Sequence, residues 1–345
     1  MKGHRIVWSV VAALVALLVA VGFAALAAVL AGSDPTATAF ALVSGSVGSS
    51  ESLGAMVLVL IPLLLTGVGV AFAFRSGVLN IGAEGQFLMG ALAASAAGVL
   101  VPAFSGQVVL VLVAGAVAGG LWATIAGLYR LVRGVNEVIT TILLNFIALY
   151  LVSWAVHGPL QEVARSYPQS DPLPASARLG PLLEGGLVHA GLPIALVVTL
   201  GVGVVLSRTA PGLRLRAAGQ NAAAARLAGF PVRRDLLGAF AVSGALAGLA
   251  GAIEIAGLTG RLYERIGSGY GFTAIAVAFL AGLEIPGVVF AAIFFATLST
   301  GAQAMERVAG VPSVLAVAAQ GATLIVVALL GGLRLLWAET EEPSA

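Results

Sequence analysis

Long uninterrupted apolar runs constrain this chain more than any other feature. "GAMVLVLIPLLLTGVGVAFAF" (Gly54–Phe74) passes 21 positions without a charged side chain. A helix of about 20 apolar residues crosses the hydrocarbon of a bilayer, and only helices or closed barrels satisfy their backbone there. Several such runs follow one another, and none alternates as the strands of a barrel would. Only 9% of residues are charged and the mean hydropathy is +1.07, whereas soluble domains carry about a quarter charged. The chain reads as an all-α polytopic membrane protein.

Breaks at polar, Pro-rich and Arg-rich points divide it into about ten transmembrane helices. They fall near 6–31, 54–74, 82–101, 107–129, 135–157, 191–207, 236–258, 268–283, 286–305 and 313–333, in one transmembrane domain over 1–345. The first run imitates a secretory signal, but at about 26 residues it exceeds the roughly 7–15 of a signal core, so it reads as an uncleaved span. Alternating the loops puts Lys2, Arg5, Arg75, Arg130, Arg133, Arg208, Arg214, Arg216, Arg226, Arg233, Arg234 and Arg334 on one side. Arg165, Arg178, Arg261, Arg265 and Arg307 fall on the other. Basic residues accumulate on the cytoplasmic side, so both termini are expected inside a cytoplasmic membrane.

Much chemistry is excluded. There is no Cys, and a net charge of +2 is too small to imply nucleic acid. Lys2 is the only lysine, so no phosphate loop of the Gly-x-x-x-x-Gly-Lys-Ser/Thr kind can form, and ATP could only be bound by a partner. His4, His157 and His189 lie far apart, and the only aspartates are Asp34, Asp171 and Asp235, in or beside loops. No metal site, cofactor or nucleophile elbow is expected. A conduit, a receptor or a scaffold remains.

Glycine is abundant, with 45 residues. Gly244, Gly248 and Gly251, like Gly115 and Gly119, are spaced for close helix packing in lipid. "RSGVLNIGAEGQFLMG" (Arg75–Gly90) is different, because it sets Asn80, Glu84 and Gln86 among Gly77, Gly82 and Gly85. Polar groups at membrane depth tend to mark function, and glycine-interrupted helices point to a transport path. These side chains either face such a path or satisfy backbone freed at a bend, with Arg75 as a partner for Glu84. A second polar stripe comprises Asn136, Glu137, Thr140, Thr141 and Asn145, with neighbours one helical turn apart. Glu137 could instead snorkel at the cytoplasmic edge. Glu254 is a further path candidate.

The long outer loop His157–Gly186 is too rich in Pro, Ser and Gly to span. The inner loop Ser207–Asp235 holds six arginines. Within it Asn221 suits a helix cap, Ala222–Ala228 favour helix, and Gly229 with Pro231 suits its end. A short, small-faced helix of this kind could dock on a cytoplasmic partner, or the loop could serve only as a basic topology anchor.

"GLRLRAAGQNAAAARLAGFPV" resembles the coupling helix of permease subunits of bacterial ABC importers, in the family for ribose, branched-chain amino acids and nucleosides. "FRSGVLNIGAEGQFLMGALAA", "GVNEVITTILLNFIALYLV" and "GSGYGFTAIAVAFLAG" agree in order and spacing, and the first two are most similar to the nucleoside (guanosine) branch. The resemblance runs from about Leu53 to Gly332. It implies a type II importer fold with two inverted halves, and ATPase coupling through Gln220, Asn221, Ala224, Ala225, Arg226 and Gly229 in the loop 208–234. It also implies a cytoplasmic ATP-binding subunit, a second permease subunit (the same or a related chain) and an external substrate-binding lipoprotein. Glu284 in "LEIPG" departs from the neutral polar residue expected there. The implied function is import of a small polar solute, most simply a nucleoside. The same family importing a simple sugar or a branched-chain amino acid, or a stand-alone secondary transporter using Glu84, Glu137 or Glu254, are the alternatives.

Overall fold

The computed structural model describes residues 32–312 except Ser268, with scattered positions on either side. The expected spans 6–31 and 313–333 thus lie almost wholly outside the described residues. Among these residues the regular structure is helical: α1 (Pro35–Val47), α2 (Ser50–Arg75), α3 (Ala83–Leu100), α4 (Gln107–Arg133), α5 (Glu137–His157), α6 (Gly191–Arg208), α7 (Ala210–Gln220), α8 (Ala222–Leu227), α9 (Val232–Ile253), α10 (Tyr270–Leu280) and α11 (Ile285–Ala309). A π-helical turn, Glu254–Thr259, continues α9. Among the described residues, seven helices are long and apolar enough to cross a membrane: α2, α3, α4, α5, α6, α9 with its π turn, and α11.

Two elements differ from expectation. α1 is extra: Asp34 caps it by accepting from the Thr36 N–H at 2.8 Å, with Pro35 in the first turn. Its 13 residues fall below the length that marks a span. It packs on α11, where a Cβ at Gly301 would overlap the Leu42 carbonyl. The segment expected to span at 268–283 holds only the 11 residues of α10. At about 1.5 Å per residue that is roughly half of a ~30 Å hydrocarbon layer.

α2 is the axis of the molecule. From Leu60 to Phe74 every residue is buried, packed by α9, α10, α11 and α6. α9 also lies against α3 and α4, and glycines set the distance there. A Cβ at Gly90 of α3 would overlap the Gly248 carbonyl; one at Gly119 of α4 would meet that of Gly244, and one at Gly248 that of Gly115. Contact of this kind supplies dispersion where lipid offers no hydrophobic drive. The outward faces of α4, α5 and α6 carry exposed Leu121, Tyr150, Trp154, Val197 and Leu200, as a bilayer-facing surface requires.

Candidate functional site

The helix broken by glycines in the sequence is broken in the structure. α2 stops at Arg75, α3 starts at Ala83, and residues 76–82 between them are irregular. Gly77 takes φ +76°, a left-handed conformation that side-chain-bearing residues seldom adopt. Backbone freed in this way must find partners, and amides provide them. Asn80 Oδ1 accepts from the Gly82 N–H at 3.0 Å and from Gln86 Nε2 at 2.8 Å. Asn80 Nδ2 donates to Gln86 Oε1 and to Ser243 Oγ of α9, both at 2.9 Å. From α5, Asn145 accepts the Gly85 N–H at 2.8 Å and donates to the Ile81 carbonyl at 3.0 Å. Thr141 Oγ1 accepts from the Ile81 N–H at 3.3 Å. Asn80, Gln86, Thr141, Asn145 and Ser243 are all buried. The group is neutral, closed on itself and built from four elements.

A second break lies between the π turn and α10. Gly260, Gly267 and Gly269 all take left-handed φ values. A Cβ at Gly267 would overlap the Phe87 ring of α3, and Phe87 meets Tyr270 edge to face at 5.8 Å between centroids. The start of α10 is capped from the first break. Glu84 Oε2 accepts from the Gly271 N–H at 2.7 Å and Oε1 from the Gly269 N–H at 3.2 Å. A carboxylate against a helix N-terminus satisfies orphan donors and meets the positive end of the helix dipole. Glu84 therefore fixes a bend without Arg75. That arginine pairs instead with Glu284 at 2.7 Å, tying the end of α2 to the start of α11. The unexpected Glu284 thus has a local partner.

The other stripe residues divide. Asn136 caps α5, accepting from the Val138 N–H at 2.8 Å, and Thr140 Oγ1 donates to its own helix at the Asn136 carbonyl, 3.1 Å away. Glu137 pairs with Arg130 at 2.7 Å. None of the three joins the amide group that Thr141 and Asn145 enter. Glu254 sits in the π turn, 6% exposed; its backbone carbonyl accepts from Thr259 Oγ1 at 3.4 Å, while its carboxyl forms no hydrogen bond or ion pair with any described residue.

The Arg loop contains two helices where one was expected. α7 is started by Thr209, which accepts from the Gly212 N–H at 3.2 Å. α8 is capped by Asn221, whose Oδ1 takes the N–H groups of Ala223 and Ala224, both at 3.0 Å. Gly229 follows at φ +82°. Ala225 faces inward at 3% exposure, while Gln220, Asn221, Ala224 and Arg226 are exposed and Leu227 is 92% exposed. α7 touches the first break directly: a Cβ at Gly219 would overlap the Arg75 carbonyl, and one at Gly77 would lie 3.0 Å from the Gly219 Cα. Arg130 adds a second tie, donating to the Gly77 carbonyl at 3.2 Å.

Sequence reasoning missed Ser243, a lone hydroxyl in a Gly/Ala helix. It also missed Gln107, which is fully buried, donates to the carbonyls of Gly98 and Val101 at 3.2 and 3.1 Å, and accepts from Ser176 Oγ at 2.9 Å. A Gln opening an apolar run was the available signal for the second.

A multi-pass helical bundle with polar breaks in its interior, and no group of three or more His, Cys, Asp or Glu placed to hold a metal among the described residues, has the features of a membrane conduit. Residues 52–328 match the family described as branched-chain amino acid transport system / permease component, and the chain belongs to it. A glucose ABC transporter permease protein of Haloferax volcanii is 38% identical over 267 residues, covering 74% of this chain and 70% of that protein. The guanosine ABC transporter permease protein of Bacillus subtilis is 34% identical over 308 residues, 87% of each chain. A nucleoside ABC transporter permease protein of Lactococcus lactis is 30% identical over 273 residues, 76% of this chain and 75% of that one. No solved structure matches significantly. The chain is an ABC transporter permease subunit of a cell membrane, a transporter component and not an enzyme.

Proposed function

We propose that this chain forms the translocation path of an ATP-driven importer for nucleosides. The observation that carries the solute class is the guanosine permease relative aligned along 87% of the chain. A nucleoside offers a flat base to apolar walls and ribose hydroxyls to polar side chains. Glu254, whose buried carboxyl forms no hydrogen bond or ion pair with any described residue, is the side chain we assign to solute contact; π turns recur at functional positions. Asn80, Gln86, Thr141, Asn145 and Ser243 hold the first break in place. Of the other path candidates, Glu84 acts as a brace, and Asn136, Glu137 and Thr140 shape the cytoplasmic mouth.

In this reading the chain has ten spans in two inverted halves, with both termini cytoplasmic. It pairs with a second permease subunit and with a cytoplasmic ATP-binding subunit, and it receives solute from an external binding lipoprotein. Ala224, Arg226 and Leu227 of α8 dock on the ATPase, with Gln220, Asn221 and Gly229 shaping the ends of the docking helix and Ala225 anchoring its inner face. Movement of α8 reaches the first break through α7, because Gly219 lies against Arg75 and Gly77.

A sugar importer is the second reading, favoured by the 38% identity to the Haloferax volcanii glucose permease. Uptake into cells carrying the full set of subunits separates the two. Labelled guanosine and adenosine should enter, with glucose, ribose and leucine competing poorly. Glucose uptake that ignores nucleosides would replace the first reading by the second.

A further inference from the structure

A cavity of about 900 Å³ opens between α6, α7 and the first turn of α11, with Arg75 at its edge. Its walls change character along their length. Leu196, Leu200, Val204 and Val289 are apolar, whereas Arg208 ends α6 and Arg216 lies on α7 at the other end, beside the Arg75–Glu284 pair. On α6, Leu196 and Arg208 are 12 residues apart, about 18 Å along a helix. Leu196, Leu200 and Val204 are 47%, 69% and 47% exposed, on a helix of membrane-crossing length.

Polar groups in the cavity are left open. Arg208 and Arg216 form no ion pair with any described residue, and the buried Arg216 Nε has no hydrogen-bond partner. Thr199 Oγ1, also buried, lacks one too. Glu284 already neutralises Arg75, so the polar end of the cavity keeps two uncompensated cations. An unpartnered buried guanidinium nitrogen is costly, and guanidinium groups favour phosphate oxygens.

We infer that this groove holds an anionic phospholipid, its phosphodiester against Arg208 and Arg216 and an acyl chain along Leu196, Leu200, Val204 and Val289. Charge and polarity select this occupant. A second permease chain would have to set an acidic side chain against both arginines beside a matching apolar strip, and a free phosphate would leave the apolar wall uncovered. Basic pockets between membrane helices bind acidic headgroups by the same physics. The inference needs only the membrane location of the chain and is independent of the transported solute.

Native mass spectrometry of the full chain in detergent, titrated with phosphatidylglycerol or phosphatidylcholine, tests it. Phosphatidylglycerol should be retained at least tenfold more tightly. The R208Q/R216Q double variant should lose about 25-fold of that retention, roughly fivefold per arginine, with phosphatidylcholine binding unchanged. Gly203→Phe, which fills the apolar wall while sparing both arginines, should weaken both lipids. Thermal unfolding of each variant verifies that it is folded, and a poorly folded double variant is replaced by Arg208→Gln alone, expected to lose about fivefold. Equal retention of the two lipids, or no loss in the arginine variants, would overturn the inference. So would full displacement by inorganic phosphate, or lipid loss accompanied by dimerisation of the chain.

Discussion

Two breaks interrupt the membrane helices, and they are held together differently. The first, 76–82, is stitched by amides and hydroxyls from α3, α5 and α9, each donor matched by a neutral acceptor. It meets the Arg loop through Gly219 and the end of α4 through Arg130. The second, 260–269, is held against the loop 157–186. Leu262 and Ser170 exchange hydrogen bonds of 2.9 and 3.0 Å, Leu173 donates to the Gly260 carbonyl at 2.8 Å, and Arg261 pairs with Glu162 at 3.2 Å. The helix after the second break is not capped from its own surroundings. Its cap is Glu84, in the first turn of α3 immediately after the first break. One side of the molecule is self-contained and the other borrows, so a change at the first break must be felt at the second.

The largest disturbance should come from Glu84→Ala. It orphans the Gly269 and Gly271 N–H groups at a buried helix start and should cost roughly 2–4 kcal/mol of unfolding free energy. Glu84→Gln keeps an acceptor and should cost about half as much. If both variants unfold like the parent in detergent, the second break does not depend on the first.

Asn80→Leu comes next, at about 1–3 kcal/mol, because Gln86, Ser243 and the Gly82 N–H all lose a partner. Since Asn80 and Gln86 bond reciprocally, the Asn80→Leu/Gln86→Leu pair should cost clearly less than the two single changes added together. Additive costs would mean that the amides act separately and the first break is not a closed unit.

Gly219→Ala pushes a methyl group into the Arg75 carbonyl and should cost about 1 kcal/mol. Its larger expression should be functional: in the assembled transporter, solute-stimulated ATP hydrolysis should fall severalfold while basal hydrolysis persists. Parental stimulation would remove α7 as the link between the Arg loop and the first break.

The smallest effect belongs to the outer loop. The Gln169 amide, with help from the Tyr167 N–H and Arg261, holds the Glu162 carboxyl below the usual carboxylate range. A depressed folded value stabilises fully above the ordinary 4.5 and is lost as pH falls through the lowered value. Arg261→Gln should therefore lower stability slightly at pH 7 and leave no difference in strong acid. A variant deficit that grows on acidification would reverse this assignment.

The sequence made one break far more legible than the other. Asn80, Gln86 and three glycines stood within eleven residues in an apolar run, and that local density is what lipid makes costly. The cap of α8 was legible for the same reason, since Asn221 precedes its own helix. Glu84 was visible as a charge, but its partners are backbone N–H groups 185 and 187 residues away, and backbone groups leave no trace in composition. The brevity of α10 was hidden too, because "YGFTAIAVAFL" is as apolar as a true span and its ends are set by Glu84 and by the left-handed turns on either side. Thr140 adjoins Thr141 and Asn136 lies five residues before it, yet helix rotation turns them to their own backbone and to capping.

Hydrogen–deuterium exchange across residues 269–272, compared between the parent and Glu84→Ala, tests the link between the breaks most directly. In the parent these amides should be protected. In the variant, exchange at Gly269 and Gly271 should accelerate by about 10-fold or more, since each tenfold corresponds to about 1.4 kcal/mol of opening free energy, while α4 and α5 stay as slow as before. Unchanged exchange at 269–272, or an equal acceleration throughout the chain, would contradict the account.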